Sequence, residues 1–301
     1  MNPNLKEQTS RGSFLFPIEL YHTYDATGHY YVSCHWHPDV EILYLQRGHI
    51  RLFINGEPYL VGPDTIIFVN REELHNLNSL MLGTFYDALV FPLESLSFDF
   101  YDYCQQNYLL PLIQKKLLFP LFLKPEDPGY EEVRDCLVTI AAAFDHQEPG
   151  YQLTVKASLL QLLSAMVRHS HLLSPQKTDS PFRRKQLDTM KTIVSYLQAH
   201  MDRKIRLEDA AASCYMSPNY FCKYFKRQFG KSFTQYVNDL RLEKACHLLE
   251  TTSLPIMEIS LRCGFDNLSY FVRLFKGARG ITPSDYRKTF LSFTPAAGES
   301  R

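Results

Sequence analysis

The chain of 301 residues is 45% hydrophobic and 21% charged, a balance that fits a globular protein of two domains and excludes an intrinsically disordered one. Its 32 Lys and Arg match its 32 Asp and Glu, so net charge alone points to no partner. No apolar run approaches a membrane span, the first residues "MNPNLKEQTSRG" lack the apolar core of a signal peptide, and the seven cysteines form no CxxC pair. The expectation is a cytoplasmic protein with reduced thiols, no disulfide framework and no membrane contact.

Residues 14 to about 100 read as β-structure. Strand-like runs are "HIRLFI" (49–54), "EPYLV" (57–61) and "TIIFV" (65–69), with Asn55-Gly56 as a hairpin signal and Pro63-Asp64 and Asn70-Arg71 as further turns. Many short strands with tight turns favour a sandwich or a barrel. Ahead of them, "HWHPDVEILYLQRG" (35–48) has the spacing H-x-H-x3-E-x6-G, and His75 follows beyond the next strands. This resembles the first cupin motif, whose residues on a barrel converge on a divalent metal. Three imidazoles and a carboxylate suit Fe, Mn, Zn or Ni. The second cupin motif is degenerate, since "GPDTIIFVNREELH" (62–75) keeps Gly62, Pro63, Asp64 and His75 but not the rest. The expectation is therefore that His35, His37, Glu41 and His75 bind a small-molecule ligand without metal or cofactor. Filling of the barrel interior is the plainer alternative. Trp36, Tyr44 and Arg51 are further candidates to stack on or pair with a ligand.

At Tyr130 the period becomes helical. Val133, Leu137, Ile140, Ala141 and Phe144 share one face, and a second helix from Leu153 to about Leu173 puts Leu159, Leu160, Leu163, Met166 and Val167 on one side. The two read as an αα-hairpin over 130–173, with its leucine-rich face expected to form a homodimer contact. The polar stretch 174–186, with two prolines, reads as a linker. The expected organisation is a sensing barrel over 1–129, the hairpin, the linker, and a helical domain over 187–292.

That helical domain is basic. From Arg183 to Lys288 there are 19 Lys and Arg against 10 Asp and Glu, a net of +9, and the remainder of the chain carries −9. Such asymmetry fits nucleic acid, although a solvated face would look the same. An internal repeat separates the two readings. Shifted by fifty residues, Tyr220 meets Tyr270, Phe221 meets Phe271, Lys223 meets Arg273, Phe225-Lys226 meets Phe275-Lys276, Gly230 meets Gly280 and Tyr236 meets Tyr286. Each copy is a helix (Leu207–Cys214; Ile256–Cys263), a turn and a second helix (Pro218–Phe229; Leu268–Lys276). This is a helix-turn-helix, present twice.

Ser217 and Asn267 are expected to cap the second helices, with Pro218 at the first helical position. With Phe221 and Phe225 turned inward, Asn219, Cys222, Lys223 and Lys226 share the outer face. In the second copy Leu268, Ser269, Val272, Arg273 and Lys276 take the matching places. Aromatic residues would anchor one side while polar and basic residues reach base edges and phosphates. Arg273 suits guanine and Asn219 adenine. Between the copies, "TQYVNDLRLEKACHLLETT" (234–252) reads as one helix of about fifteen residues and ~22 Å. Such a strut would set the recognition helices into successive major grooves, ~34 Å apart.

The last hundred residues resemble the AraC/XylS family of bacterial transcription regulators. The resemblance rests on "RLEKACHLL" in the strut, "IMEISLRCGFDNLSYFVRLFK" in the second copy and "GITPSDYR" after it. It implies that Gly264-Phe265 form the turn and that Thr282-Pro283 start a closing helix ending at Tyr286-Arg287. Two departures stand out: Tyr215 and Ser260 replace a common Gly and a common Ala. The fold class expected is α+β and multidomain, a cupin-like β-barrel with an αα-hairpin followed by an all-α double helix-turn-helix. The function implied is a ligand-responsive regulator that binds promoter DNA, with a sugar as effector, a homodimer as the assembly, and RNA polymerase as a partner if it activates. A metal-dependent cupin enzyme carrying a DNA-binding module is the alternative, and the degenerate second motif speaks against it.

Overall fold

The computed structural model describes residues 12–293 apart from 26, 27, 29, 176–180, 202 and 204. Its strands are β1 (Glu19–Tyr24), β2 (Tyr31–His35), β3 (Val40–Arg47), β4 (Ile50–Ile54), β5 (Glu57–Val61), β6 (Thr65–Val69), β7 (His75–Ser79), β8 (Phe85–Phe91) and β9 (Phe122–Leu123). Antiparallel pairing arranges them as β1-β8-β3-β6-β9 and β2-β7-β4-β5. Strand alternation gives the first sheet two apolar faces. Leu43, Leu45, Ile67, Val69 and Ala88 face Ile50, Leu52, Ile54 and Leu77 of the second sheet and fill the space between them. Val40, Ile42, Tyr44, Ile66, Phe68 and Leu89 point outward and need a second cover.

Helices supply that cover. After the short α1 (Leu110–Ile113), α2 (Tyr130–His146) and α3 (Tyr151–Arg168) form the hairpin. Val133, Leu137 and Ile140 of α2 and Leu159, Leu162, Leu163 and Met166 of α3 are buried in one cluster with the outward residues of the sheet. The leucine-rich face expected to join two copies is thus occupied within one chain. A strand core with two apolar faces takes its cover from the nearest amphipathic helices. Burial of one such leucine contributes about 1.5–3 kcal/mol. Leu163→Glu should therefore cost several kcal/mol of stability through an unpaired buried charge, read as a lowered urea midpoint. A variant of wild-type stability that changed only its sedimentation would restore the dimer seam.

The C-terminal helices are α4 (Pro181–His200), α5 (Leu207–Ser213), α6 (Pro218–Phe229), α7 (Phe233–Thr251), α8 (Ile256–Arg262), α9 (Leu268–Arg279) and α10 (Pro283–Phe293). Helix α4 begins inside the stretch expected to be linker, since a proline is tolerated in a first helical turn. It ends at His200, and α5 starts at Leu207, where the first copy's first helix is expected. The strut α7 has 19 residues, about 28 Å long. It is started by a capping box in which Ser232 and Gln235 hold each other's backbone N–H. The closing helix α10 runs past Tyr286-Arg287 to Phe293.

The turns between α5 and α6 and between α8 and α9 are built alike. Met216 N–H donates to Ala211 O and Tyr215 N–H to Ala212 O; Phe265 N–H donates to Ser260 O and Gly264 N–H to Leu261 O. Each is a Schellman arrangement that needs a left-handed residue at one position. Gly264 takes it at φ 79° and Tyr215 at φ 57°. The two positions differ in their surroundings. A Cβ on Gly264 would lie 2.6 Å from Met201 O, whereas Tyr215 is fully exposed. Gly264→Ala should destabilise by roughly 2–3 kcal/mol, while Tyr215→Gly should fall within about 1 kcal/mol of wild type, because relief of strain is offset by unfolded-chain entropy. Urea titration of both variants checks the asymmetry. Equal effects would remove the steric role of Gly264.

The barrel and the first helix-turn-helix share a core. Cys34 and Leu74 of the barrel are buried in one cluster with Met190, Ile193, Val194 and Leu197 of α4, Phe221 and Phe225 of α6, and Tyr236 of α7. The second unit has its own core around Leu242, Leu249, Ile259, Phe265, Phe271 and Phe275.

Candidate functional site: a histidine-carboxylate cluster and two exposed helix faces

Glu41 lies on β3 with Leu43 and Leu45, so alternation aims it between the sheets. His35 ends β2 and pairs with His75 at the start of β7. His37 sits in the turn between β2 and β3, and its carbonyl accepts from Glu72 N–H at 2.8 Å, which ties the two histidine-bearing turns together. One ligand atom from each of His35, His37, Glu41 and His75 lies within 4.8 Å of the others. His37, Glu41 and His75 are buried and His35 is half-buried.

The hydrogen bonds fix where the protons are. Nδ1 of His35 faces Ser33 O at 2.8 Å, Nδ1 of His37 faces Asp39 O at 3.1 Å, and Nδ1 of His75 faces Glu73 O at 2.9 Å. A carbonyl only accepts, so each Nδ1 carries a proton. Nε2 of His37 and Nε2 of His75 both lie 3.1 Å from the same oxygen, Glu41 Oε2. Burial raises the Glu41 carboxyl, but the contacts with His37 and His75 outweigh it and hold the group well below the usual carboxylate range. An ionised carboxylate also only accepts. Two neutral rings protonated on Nδ1 would point lone pairs at it. A cation shared among the Nε2 atoms and the carboxylate would satisfy these lone pairs without burying two imidazolium rings. Backbone carbonyls that lock the far nitrogen of each ring are the usual support of a metal-binding histidine. The four residues fit a divalent ion of the Zn, Fe, Mn or Ni type.

The other ligand candidates are elsewhere. Tyr44 is buried under the helical hairpin. Arg51 is exposed on the outer side of β4. Trp36 packs against the helical domain and donates from Nε1 to Ser195 Oγ at 3.1 Å. Pro38 and the irregular end of β2 concealed the directions of Trp36 and Tyr44, whereas Arg51 follows the alternation of Ile50, Leu52 and Ile54.

The helix faces stand as the repeat implies. Ser217 Oγ accepts from Tyr220 N–H at 3.4 Å and Asn267 Oδ1 from Tyr270 N–H at 2.8 Å, so both start caps form. Phe221, Phe225, Phe271 and Phe275 are fully buried. Ser217, Asn219, Cys222, Lys223 and Lys226 are exposed on the first unit, and Asn267, Leu268, Ser269, Arg273 and Lys276 on the second. Val272 differs: it is half-buried, because its apolar side chain packs on the second core. Two further exposed residues were not among the expected site residues. Tyr220 and Tyr270 occupy matching, exposed positions, and Arg273 lies over the Tyr270 ring at 5.7 Å while Asn238 Nδ2 donates to its hydroxyl at 3.1 Å. Their alignment in the repeat was the available signal.

Comparison with known proteins bears on both regions. A family model described as AraC-like ligand binding domain matches residues 16–87, and one described as Helix-turn-helix domain matches residues 210–289. The uncharacterized HTH-type transcriptional regulator YdeC of Bacillus subtilis is 26% identical over 291 residues, covering 96% of this chain and 97% of its own length. The HTH-type transcriptional activator RhaS of Mannheimia succiniciproducens is 24% identical over 260 residues, covering 84% of this chain and 88% of its own. Among solved structures, ToxT from Vibrio cholerae O395 aligns at 17% identity over 91% of this chain and 98% of that one, with a TM-score of 0.48. Among the described residues, no helix is long and apolar enough to cross a membrane.

Proposed function

We propose that this chain, which belongs to the AraC family of transcriptional regulators, binds promoter DNA through α6 and α9 and senses a divalent transition-metal ion at His35, His37, Glu41 and His75. The observation that carries the metal reading is the pair of Nε2 atoms set on one carboxylate oxygen, with every Nδ1 already committed to a carbonyl. It replaces the metal-free site expected from the degenerate second motif. The lost motif residues are not the donors, and the donors are all present. A carbohydrate effector, the class the resemblance implies, fits this place less well. Leu43, Leu45, Ile50, Leu52, Ile67 and Leu77 fill the interior next to the four polar groups. A bound ion would supply positive charge there. The chain's own part is to present three imidazoles and one carboxylate with fixed tautomers and to keep His37, Glu41 and His75 away from bulk water.

The DNA reading rests on two capped helices whose polar faces repeat and whose aromatic faces are buried. A homodimer formed through α2 and α3 would use the exposed side of the hairpin, where Val138 and Leu153 stand, and not the leucine-rich face. Two measurements on the purified full chain test the proposal. Elemental analysis after dialysis against zinc should find about one equivalent per chain, as for a closed four-ligand site. Duplexes selected from a randomised pool should bind with affinity that falls steeply as salt rises. Absence of uptake of zinc, manganese, iron and nickel would sink the metal part. A folded chain indifferent to DNA at low salt would sink the other.

A further inference from the structure

We infer that strand β2 is a latch that transmits occupancy of the histidine-carboxylate site to the DNA-binding helices, through two hydrogen bonds to the strut α7. The inference rests on the proposed metal reading of that site.

Within the run Tyr31 to Trp36, His35 meets the site while Tyr31, Cys34 and Trp36 meet the helical domain. His35 points to the site, and its ring is held by Ser33 O at 2.8 Å. The N–H of that same Ser33 donates to Glu243 Oε2 on α7 at 3.1 Å. The next carbonyl, Cys34 O, accepts from Tyr236 Oη on α7 at 2.8 Å, with both partners buried. On either side, Lys231 Nζ lies 4.0 Å over the Tyr31 ring and Trp36 is bonded to Ser195 of α4. One residue thus separates the imidazole from the strut: Glu243 holds the N–H of Ser33, and the carbonyl of Ser33 holds His35.

This part of β2 is also where the sheet gives way most easily. Pairing with β7 runs Tyr31 to Asn78 and Val32 to Leu77, then slips before His35 meets His75. Ser33 and Cys34 occupy the slip, and the Ser33 hydroxyl is buried without a partner. An irregularity of this kind lets a strand end shift without disturbing the ladder beyond it. Donor atoms of a tetrahedral zinc site, at a bond length of about 2.0–2.1 Å, stand about 3.4 Å apart. Here they spread over as much as 4.8 Å. His37, Glu41 and His75 are buried, so the half-buried His35 is the member with most room to move. Its movement would carry Ser33 and Cys34, and with them the grip on Glu243 and Tyr236. A cleft of about 290 Å³ between barrel and helical domain, lined by Tyr30, Tyr31, Asn78, Lys231 and Asp239 among others, leaves room for that adjustment. The strut joins the two recognition units, so its position bears on their relative setting on DNA.

The test measures the affinity of the full chain for a pool-selected duplex with and without zinc. Wild type should show a zinc-dependent change of roughly 5- to 150-fold, the usual span of coupling between two sites. By linkage, the duplex should change zinc affinity by the same factor. Tyr236→Phe keeps the ring in its core and removes only the hydroxyl. Together with Glu243→Ala it should leave zinc uptake within about threefold of wild type and reduce the zinc effect on DNA affinity to less than about twofold. Tyr236→Phe alone guards against misfolding of the double variant and should lose part of the effect. A zinc effect of full size in both variants overturns the latch. So does a wild type that takes up zinc yet binds the duplex equally in its presence and absence. A wild type that takes up no metal fails at the earlier step and overturns the site reading itself.

Discussion

His37→Ala and His75→Ala should each abolish stoichiometric zinc uptake by the full chain, with affinity falling by at least about 100-fold. Loss of a direct ligand costs more than the 10–100-fold typical of a supporting residue. Both rings reach the same Glu41 oxygen, so removing either leaves that carboxylate with one partner and opens the coordination. Thermal unfolding provides an independent reading. An ion that binds only the folded chain stabilises wild type by about 2.7 kcal/mol at a hundred times its dissociation constant. That increment should vanish in both alanine variants. Glu41→Gln keeps the volume and loses the charge, and should weaken zinc more than it weakens the fold. If the four side chains were only barrel filling, the variants would lower stability while wild type gained nothing from zinc. A zinc increment that survives in both histidine variants would place the ion elsewhere.

Lys223→Ala and Arg273→Ala should each weaken binding to a selected duplex by about 1–3 kcal/mol if each makes a good base contact. The residues lie on different helices with separate cores, so their effects should add, giving the double variant a loss of roughly 2–6 kcal/mol. Footprinting should place the lost contacts about one helical turn of DNA apart, as expected for recognition helices held by a rigid strut of about 28 Å. Arg273 is steadied over the Tyr270 ring, so Tyr270→Ala should reproduce part of its loss. Loss of protection that is uniform along the site would make both residues phosphate anchors instead. Wild-type affinity in the folded double variant would remove α6 and α9 as the reading elements.

Much of the C-terminal half follows from local rules, which is why it was legible. Ser217, Asn267 and Pro218 start helices by satisfying or lacking backbone N–H groups within three residues, and Gly230 and Gly280 end them in the left-handed region. Phe221, Phe225, Phe271 and Phe275 fall on one side at helical spacing whatever they pack against. The repeat then doubled every signal. In the N-terminal half the turns were equally plain: Asn55-Gly56 closes the β4–β5 hairpin, and the H-x-H-x3-E spacing assembles with His75 into one cluster.

The sequence by itself therefore determined the two helix-turn-helix units, their caps and outward faces, the hairpin turns and the four members of the cluster. All but the place of His75 depend on neighbours a few residues away or on a fixed period. Only the tertiary structure decided what the outward-facing residues meet. It sent the leucines of α3 to the barrel because β3 and β8 have two apolar faces to cover. It turned Trp36 and Cys34 to the helical domain because the strand slips between Val32 and His35. It set Nε2 of His37 and His75 on one oxygen, a convergence of residues 34 and 38 positions apart on different elements. Contacts at such separation are chosen by the packing of whole faces, and no local period records them.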